Sequence, residues 1–127
     1  MLKSLGVEFP RSVEWSVPLE LAHGAVGLVV HSRTRIGSGV TLMPGVVIGR
    51  SDSYIPEQAG TATGRVVIGD NVTVGAGAKV LFKPGQELVI APGTIVGANA
   101  VLLESTGADE VWAGNPARRV GTRAVGE

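Results

Sequence analysis

At 127 residues, with 44% hydrophobic and 17% charged residues, the chain fits one folded domain and not a disordered segment. Eleven Lys and Arg balance eleven Asp and Glu, and the basic residues are scattered, which argues against a nucleic-acid partner. The absence of cysteine excludes disulfides, thiolate metal sites and a cysteine nucleophile, and suggests a reducing, cytoplasmic setting.

No stretch approaches the roughly 18 apolar residues of a membrane-crossing helix, and residues 1–10 lack the apolar run of a signal peptide, so no membrane span is expected. Glycine is 19 of 127 and aromatics are only 4%. The core must therefore be built from Val, Ile, Leu and Ala.

Along the chain, residues 1–20 carry no clear period and are expected to cap one end of the fold. A period of six begins at Val30 and runs through Ile36, Leu42 and Ile48. It resumes at Ile68, Val74 and Val80, and again at Ile90, Val96 and Leu102. Glycine follows directly at 37, 49, 69, 75 and 97. Four places after the aliphatic residue comes a small or β-branched one: Thr34, Val40, Val46, Val72, Ala78, Thr94, Ala100 and Thr106. Such a repeat reads as a short strand, an inward aliphatic side chain and a sharp turn relieved by glycine. Three strands close one triangular coil, and stacked coils bury one continuous aliphatic column. The fold class is all-β, a parallel β-helix forming a single domain with coils over 21–106.

Extra residues in a solenoid must leave the coil as loops. Ile48 to Ile68 is a step of 20, close to two rungs of 12 or three of 18, so the polar stretch 50–64 is expected to project as an arm, in acceptor or subunit contact. Four further residues around Lys83, Pro84, Gly85 and Gln86 predict a second loop. Residues 107–127 are expected to cap the far end, with Trp15 and Trp112 covering the ends of the column.

Three stretches carry a family resemblance: LAHGAVGLVVHSRTRIG (21–37), IGDNVTVGAGAKVL (68–81) and IVGANAVLLESTGADEVWAGNPARRVG (95–121). The chain resembles the hexapeptide-repeat acyltransferases, and among them the serine acetyltransferase-like O-acetyltransferases. The resemblance implies left-handed winding, a homotrimer and acetyl-CoA as co-substrate with no metal. It implies that His23 is the general base, a role suited to imidazole near neutral pH. It maps CoA contacts to Gly75, Ala76 and Gly77, to Gly97 and Ala98, and to Pro116 and Ala117. Arg118 and Arg119 would hold CoA phosphates, since guanidinium suits phosphate geometry; Lys79 is a weaker candidate.

The chain departs from the family at two positions. Arg65 stands where serine acetyltransferases carry a second active-site histidine, and Ala22 stands where an acidic residue often precedes the base. The long N-terminal helical domain of those enzymes has no counterpart in these 127 residues. By subtraction, a saccharide or other small-molecule hydroxyl is the favoured acceptor, with serine as the alternative. A non-catalytic trimeric scaffold is a second alternative. His31 follows a rung aliphatic directly and is a reserve functional candidate. The zinc-binding carbonic anhydrase branch of the same fold is disfavoured, because two histidines eight residues apart do not match its spacing.

Overall fold

The computed structural model describes residues 7–57 and 63–123. Its strands follow one another in coils of three. The first coil holds β1 (Glu14–Trp15), β2 (Leu19–Leu21) and β3 (Val29–Val30). The second holds β4 (Thr34–Ile36), β5 (Val40–Leu42) and β6 (Val47–Arg50). The third holds β7 (Arg65–Ile68), β8 (Thr73–Val74) and β9 (Lys79–Phe82), and the fourth β10 (Glu87–Ile90), β11 (Ile95–Val96) and β12 (Val101–Leu102). A hairpin of β13 (Glu110–Gly114) and β14 (Ala117–Thr122) follows.

Each coil contributes one strand to each of three faces. The first face is β1-β4-β7-β10, the second β2-β5-β8-β11-β13-β14, and the third β3-β6-β9-β12. Among the described residues all pairings between coils are parallel, and only β13 and β14 pair antiparallel. The winding is left-handed, the parallel β-helix expected from the repeat.

The ladder explains this geometry. All ten repeat aliphatics, from Val30 to Leu102, are at most 2% exposed. Register stacks Val30, Ile48, Val80 and Leu102 on one face, and Leu42, Val74, Val96 and Trp112 on another. Full burial of one such side chain is worth about 1.5–3 kcal/mol. A strand of two residues has too little surface to stand alone, so each rung depends on its neighbours. Trp112 is 8% exposed and closes the column, whereas Trp15, in register with inward Ile36, is 52% exposed and covers only part of the first coil.

Coil lengths locate the insertions. Val29 pairs with Val47, 18 positions on, a coil without insertion. Val47 pairs with Lys79, 32 positions on, so the arm adds 14 residues within a single rung. Neither the two-rung nor the three-rung spacing expected from the sequence holds. Lys79 pairs with Val101, 22 positions on, which confirms the four-residue loop. The first coil opens at β1 and β2, ahead of the expected start at residue 21; the rest of the N-terminal stretch contributes Val7, Phe9 and Val13 to the core. Residues 1–6, 58–62 and 124–127, parts of the expected caps and arm, lie outside the described residues.

Candidate active site

The three edges of the prism differ in character. The edge between the first and second faces is plain: Gly37 to Gly39, Gly69 to Asn71 and Ala91 to Gly93 stack one above another, tied by the Ser38 N–H donating to Asp70 Oδ1 at 2.9 Å. The edge between the third and first faces bears His31 to Arg33, the arm and the 83–86 loop. The edge between the second and third faces carries most of the residues singled out above.

On that edge the turns Met43 to Val46, Gly75 to Ala78 and Gly97 to Ala100 superpose. Gly45 N–H donates to Val26 O at 2.8 Å, Gly77 N–H to Pro44 O at 2.9 Å and Asn99 N–H to Ala76 O at 2.9 Å. Two glycines are required by this stacking alone. Gly77 has φ +72, and a Cβ there would lie 2.3 Å from Asn99 Oδ1; one on Gly75 would lie 2.7 Å from Ala98 N. Ala76 and Ala98 are then short side chains along this edge.

His23 stands at the end of the same edge. The turn from Leu21 to Val29 contains three more residues than the turn from Leu42 to Val47, and the excess forms a 3-10 turn at Ala22–Ala25. His23 and Gly24 adopt left-handed backbone (φ 51 and 74), and the imidazole is exposed. The edge thus aligns a histidine with a run of small residues. The hairpin extends the line at the other end: Ala113 lies 3.4 Å from where a Gly97 Cβ would point, and Pro116 forms the tip, with Gly114 paired to Ala117.

The charged candidates are less well placed. Arg118 is exposed and 4.0 Å from Glu104, while Arg119 lies 3.2 Å from Glu110. Lys79 donates from Nζ to Gly77 O, so its charge supports the turn. Arg65 pairs with Glu87 at 2.8 Å on the outer surface of the first face. Guanidinium at that position cannot take up a proton, so it replaces none of a histidine's acid–base chemistry.

His31 is half-buried on the opposite edge of the third face. Arg33 N–H donates to its Nδ1 at 3.0 Å, and its ring meets Phe82 edge-on at 5.0 Å. With Nδ1 accepting, the proton of the neutral ring sits on Nε2. Burial, reinforced by Arg33 and Arg50, holds its pKa below the ordinary 6.5. His31 thus has one ring nitrogen occupied and is half-buried, whereas His23 is exposed. Among the described residues no group of three or more His, Asp or Glu side chains could hold a metal ion, and no helix is long and apolar enough to cross a membrane.

Sequence reasoning missed the turn at Met43, Pro44 and Gly45 as part of the small-residue edge. The signal was present, since this turn occupies the same place in the period as Gly75 to Ala78. The antiparallel return of β14 left no such signal.

No family model matches the chain. It is 30% identical over 115 residues to the serine acetyltransferase of Helicobacter pylori, covering 91% of this chain and 61% of that protein. It is 33% identical over 100 residues to the serine acetyltransferase of Staphylococcus xylosus, covering 79% of this chain and 41% of that one. Among solved structures, the serine acetyltransferase of Neisseria gonorrhoeae matches with a TM-score of 0.78 and 25% identity over 94% of this chain and 42% of that chain. That of Brucella abortus in complex with coenzyme A matches with a TM-score of 0.73 and 26% identity, over 89% and 41%.

The fold is a hexapeptide-repeat β-helix similar to that of serine acetyltransferases. Within that class the chain is serine acetyltransferase-like. It spans about three fifths of the length of the Helicobacter relative.

Proposed function

We propose that the chain is an acetyl-CoA-dependent O-acetyltransferase with His23 as general base. The observation that carries this reading is the placement of His23 on the same edge as the stacked Gly75 to Ala78 and Gly97 to Ala100 turns. The similarity to serine acetyltransferases favours serine as acceptor over the saccharide expected from the sequence. A homotrimer in the cytoplasm is part of the proposal: a single exposed edge offers a thioester one wall, and a second copy supplies the other.

On this reading the neutral imidazole of His23 accepts the hydroxyl proton as the acceptor oxygen attacks the acetyl carbonyl. The C–S bond then breaks, and the imidazolium returns the proton to the departing thiolate, with no covalent enzyme intermediate. The pantetheine chain runs along Ala76 and Ala98 toward Pro116 and Ala117. Arg118 and Arg119 meet the phosphates.

Thiol release from acetyl-CoA in the presence of L-serine, and separately of a sugar panel, tests both parts. Serine-dependent release is expected, falling by roughly 10²–10⁴ in His23→Ala. Release with sugars and not serine would restore the saccharide reading. No release with any acceptor, or full activity in His23→Ala, would overturn the mechanism. Light scattering showing a monomer would remove the shared-groove picture.

A further inference from the structure

The third face turns a different set of side chains outward from the first. The residues that alternate with its buried ladder are Val29, Val47, Leu81 and Val101, with Gly49 and Lys79. Lys79 bends its Nζ back to Gly77 O. On the first face such places include Glu14, Arg35, Arg65 and Glu87. Gly49 is the least expected member of the apolar set. Other glycines that follow a ladder aliphatic are forced by the next coil, since a Cβ on Gly69 or Gly75 would lie 2.7 Å from Pro92 N or Ala98 N. At Gly49 a Cβ would meet no heavy atom of the described residues within 4 Å, and its φ is not left-handed. The fold does not require glycine there. Its effect is to leave a notch between His31 in the coil before and Leu81, its register partner, in the coil after.

The notch is the floor of a cleft of about 430 Å³. Val29, Val47 and Leu81 give the cleft aliphatic sides, and Glu8 and Pro10 border it from the N-terminal segment. One end opens on the edge that carries His23: Val29 is the first strand residue after the His23 turn, and Val47 the first after the Met43 to Val46 turn. His31 and Ser53 close the other end. That end is held in place. Arg33 donates from Nη1 and Nη2 to both carboxylate oxygens of Glu57 at 3.0 and 2.9 Å, and Arg50 pairs with Asp52 and Glu57. Together they pin the arm, and Ser53 with it, against the coil.

On the acyl-transfer reading, on which this rests, we propose that the cleft takes the acyl chain of the donor. Short-chain acyl-CoAs longer than acetyl-CoA are then substrates as well, and Gly49 sets the room available to them. The occupant must match aliphatic sides and also join the small-residue edge. Among the proposed reactants the chain on the thioester carbonyl does both, whereas serine and the CoA phosphates are too polar to gain from Val29, Val47 and Leu81. Acetyl has no methylene to bury, and each methylene that enters the cleft strengthens binding about fourfold. From Val29 to His31 the strand advances about 7 Å, so the chain that fits is short and is stopped by the imidazole and Ser53.

Two measurements test this together: thiol release from acetyl-, butyryl- and hexanoyl-CoA with L-serine as acceptor, and the methyl resonances of Val29, Val47 and Leu81 on titration with each donor. Hexanoyl-CoA is expected to shift those methyls where acetyl-CoA does not, and all three donors are expected to release thiol. Gly49→Val fills the notch with a residue suited to a strand, and its use of hexanoyl-CoA should fall by about tenfold or more relative to acetyl-CoA. Leu81→Phe narrows the notch from the other side and should act in the same direction, which keeps the test independent of how well either variant folds. Release from acetyl-CoA with none from the longer donors, or a donor preference unchanged in both variants, would overturn the assignment. Equal methyl shifts with free hexanoate would also overturn it, by making the cleft a fatty-acid site. A failure of the acyl-transfer reading looks different, because no donor then releases thiol. In that event methyl shifts with hexanoyl-CoA alone would still support the cleft as the chain's site, and their absence would overturn it.

Discussion

Two threonines point into the coil from the same place in the repeat, and they differ in their partners. Thr94 Oγ1 donates to Ala91 O at 2.7 Å and lies 2.8 Å from Thr106 Oγ1 and 3.1 Å from Gly107 O. Thr34 Oγ1 is buried with no partner among the described residues. A buried hydroxyl without a partner costs about 1–3 kcal/mol. Thr34→Val should therefore raise the midpoint of thermal unfolding, while Thr94→Val should lower stability by about 1–3 kcal/mol, both read by calorimetry.

Glu110 gives a pH signature. Its carboxylate accepts from the Gly107 N–H and the Trp112 indole N–H, and with Arg119 beside it these hold its pKa below the ordinary 4.5. A lowered carboxylate stabilises the fold above its ordinary value, and the contribution fades as pH falls through the lowered one. The Trp112 indole resonance should therefore shift as Glu110 takes up its proton at acid pH, and Glu110→Gln, which does not titrate, should remove that step. The sequence offered His23 and His31 as residues of one type. Which is exposed depends on packing between coils, such as the Phe82 ring against His31, and which has Nδ1 occupied depends on the local turn that brings the Arg33 N–H to it.

At the level of the strand and turn, the period of six specified more than any single residue did. The inward positions followed from it because a two-residue strand has only one side chain to direct inward. Ile48→Ala should cost about 2–5 kcal/mol in denaturant unfolding, the range for emptying a close-packed aliphatic site. Gly77→Ala combines a left-handed backbone with a collision at Asn99 and should destabilise without emptying any site. The arm was recognised as an insertion over 50–64, but the number of rungs across it was left open. A loop may return to the ladder at any rung, and the step from Ile48 to Ile68 could not show that β7 follows β6 with no rung between them. Its pinning by Arg33 and Arg50 was equally hidden, because the ion pairs of Glu57 with Arg33, 24 residues away, and with Arg50 leave no periodic trace.

For the whole molecule, stability is a sum of coil-to-coil contacts. Exchange protection should decline from the second and third coils toward both ends, and a uniform profile would contradict this one-dimensional picture. Handedness was taken from resemblance, since a six-residue period describes either winding. The small-residue edge was only partly legible. Its glycines were visible, but their alignment with His23 depended on the three-residue excess between Leu21 and Val29, a number that acquires meaning once the strands are paired.

The plain edge has a practical use. Ser38 and Gly39 lie away from His23, away from the arm, and at a turn where neither flanking strand changes register. A fluorophore or an affinity tag grafted there would ride on the molecule as a silent reporter. New chain ends placed there would turn the prism into a cassette whose two other edges could be exchanged independently.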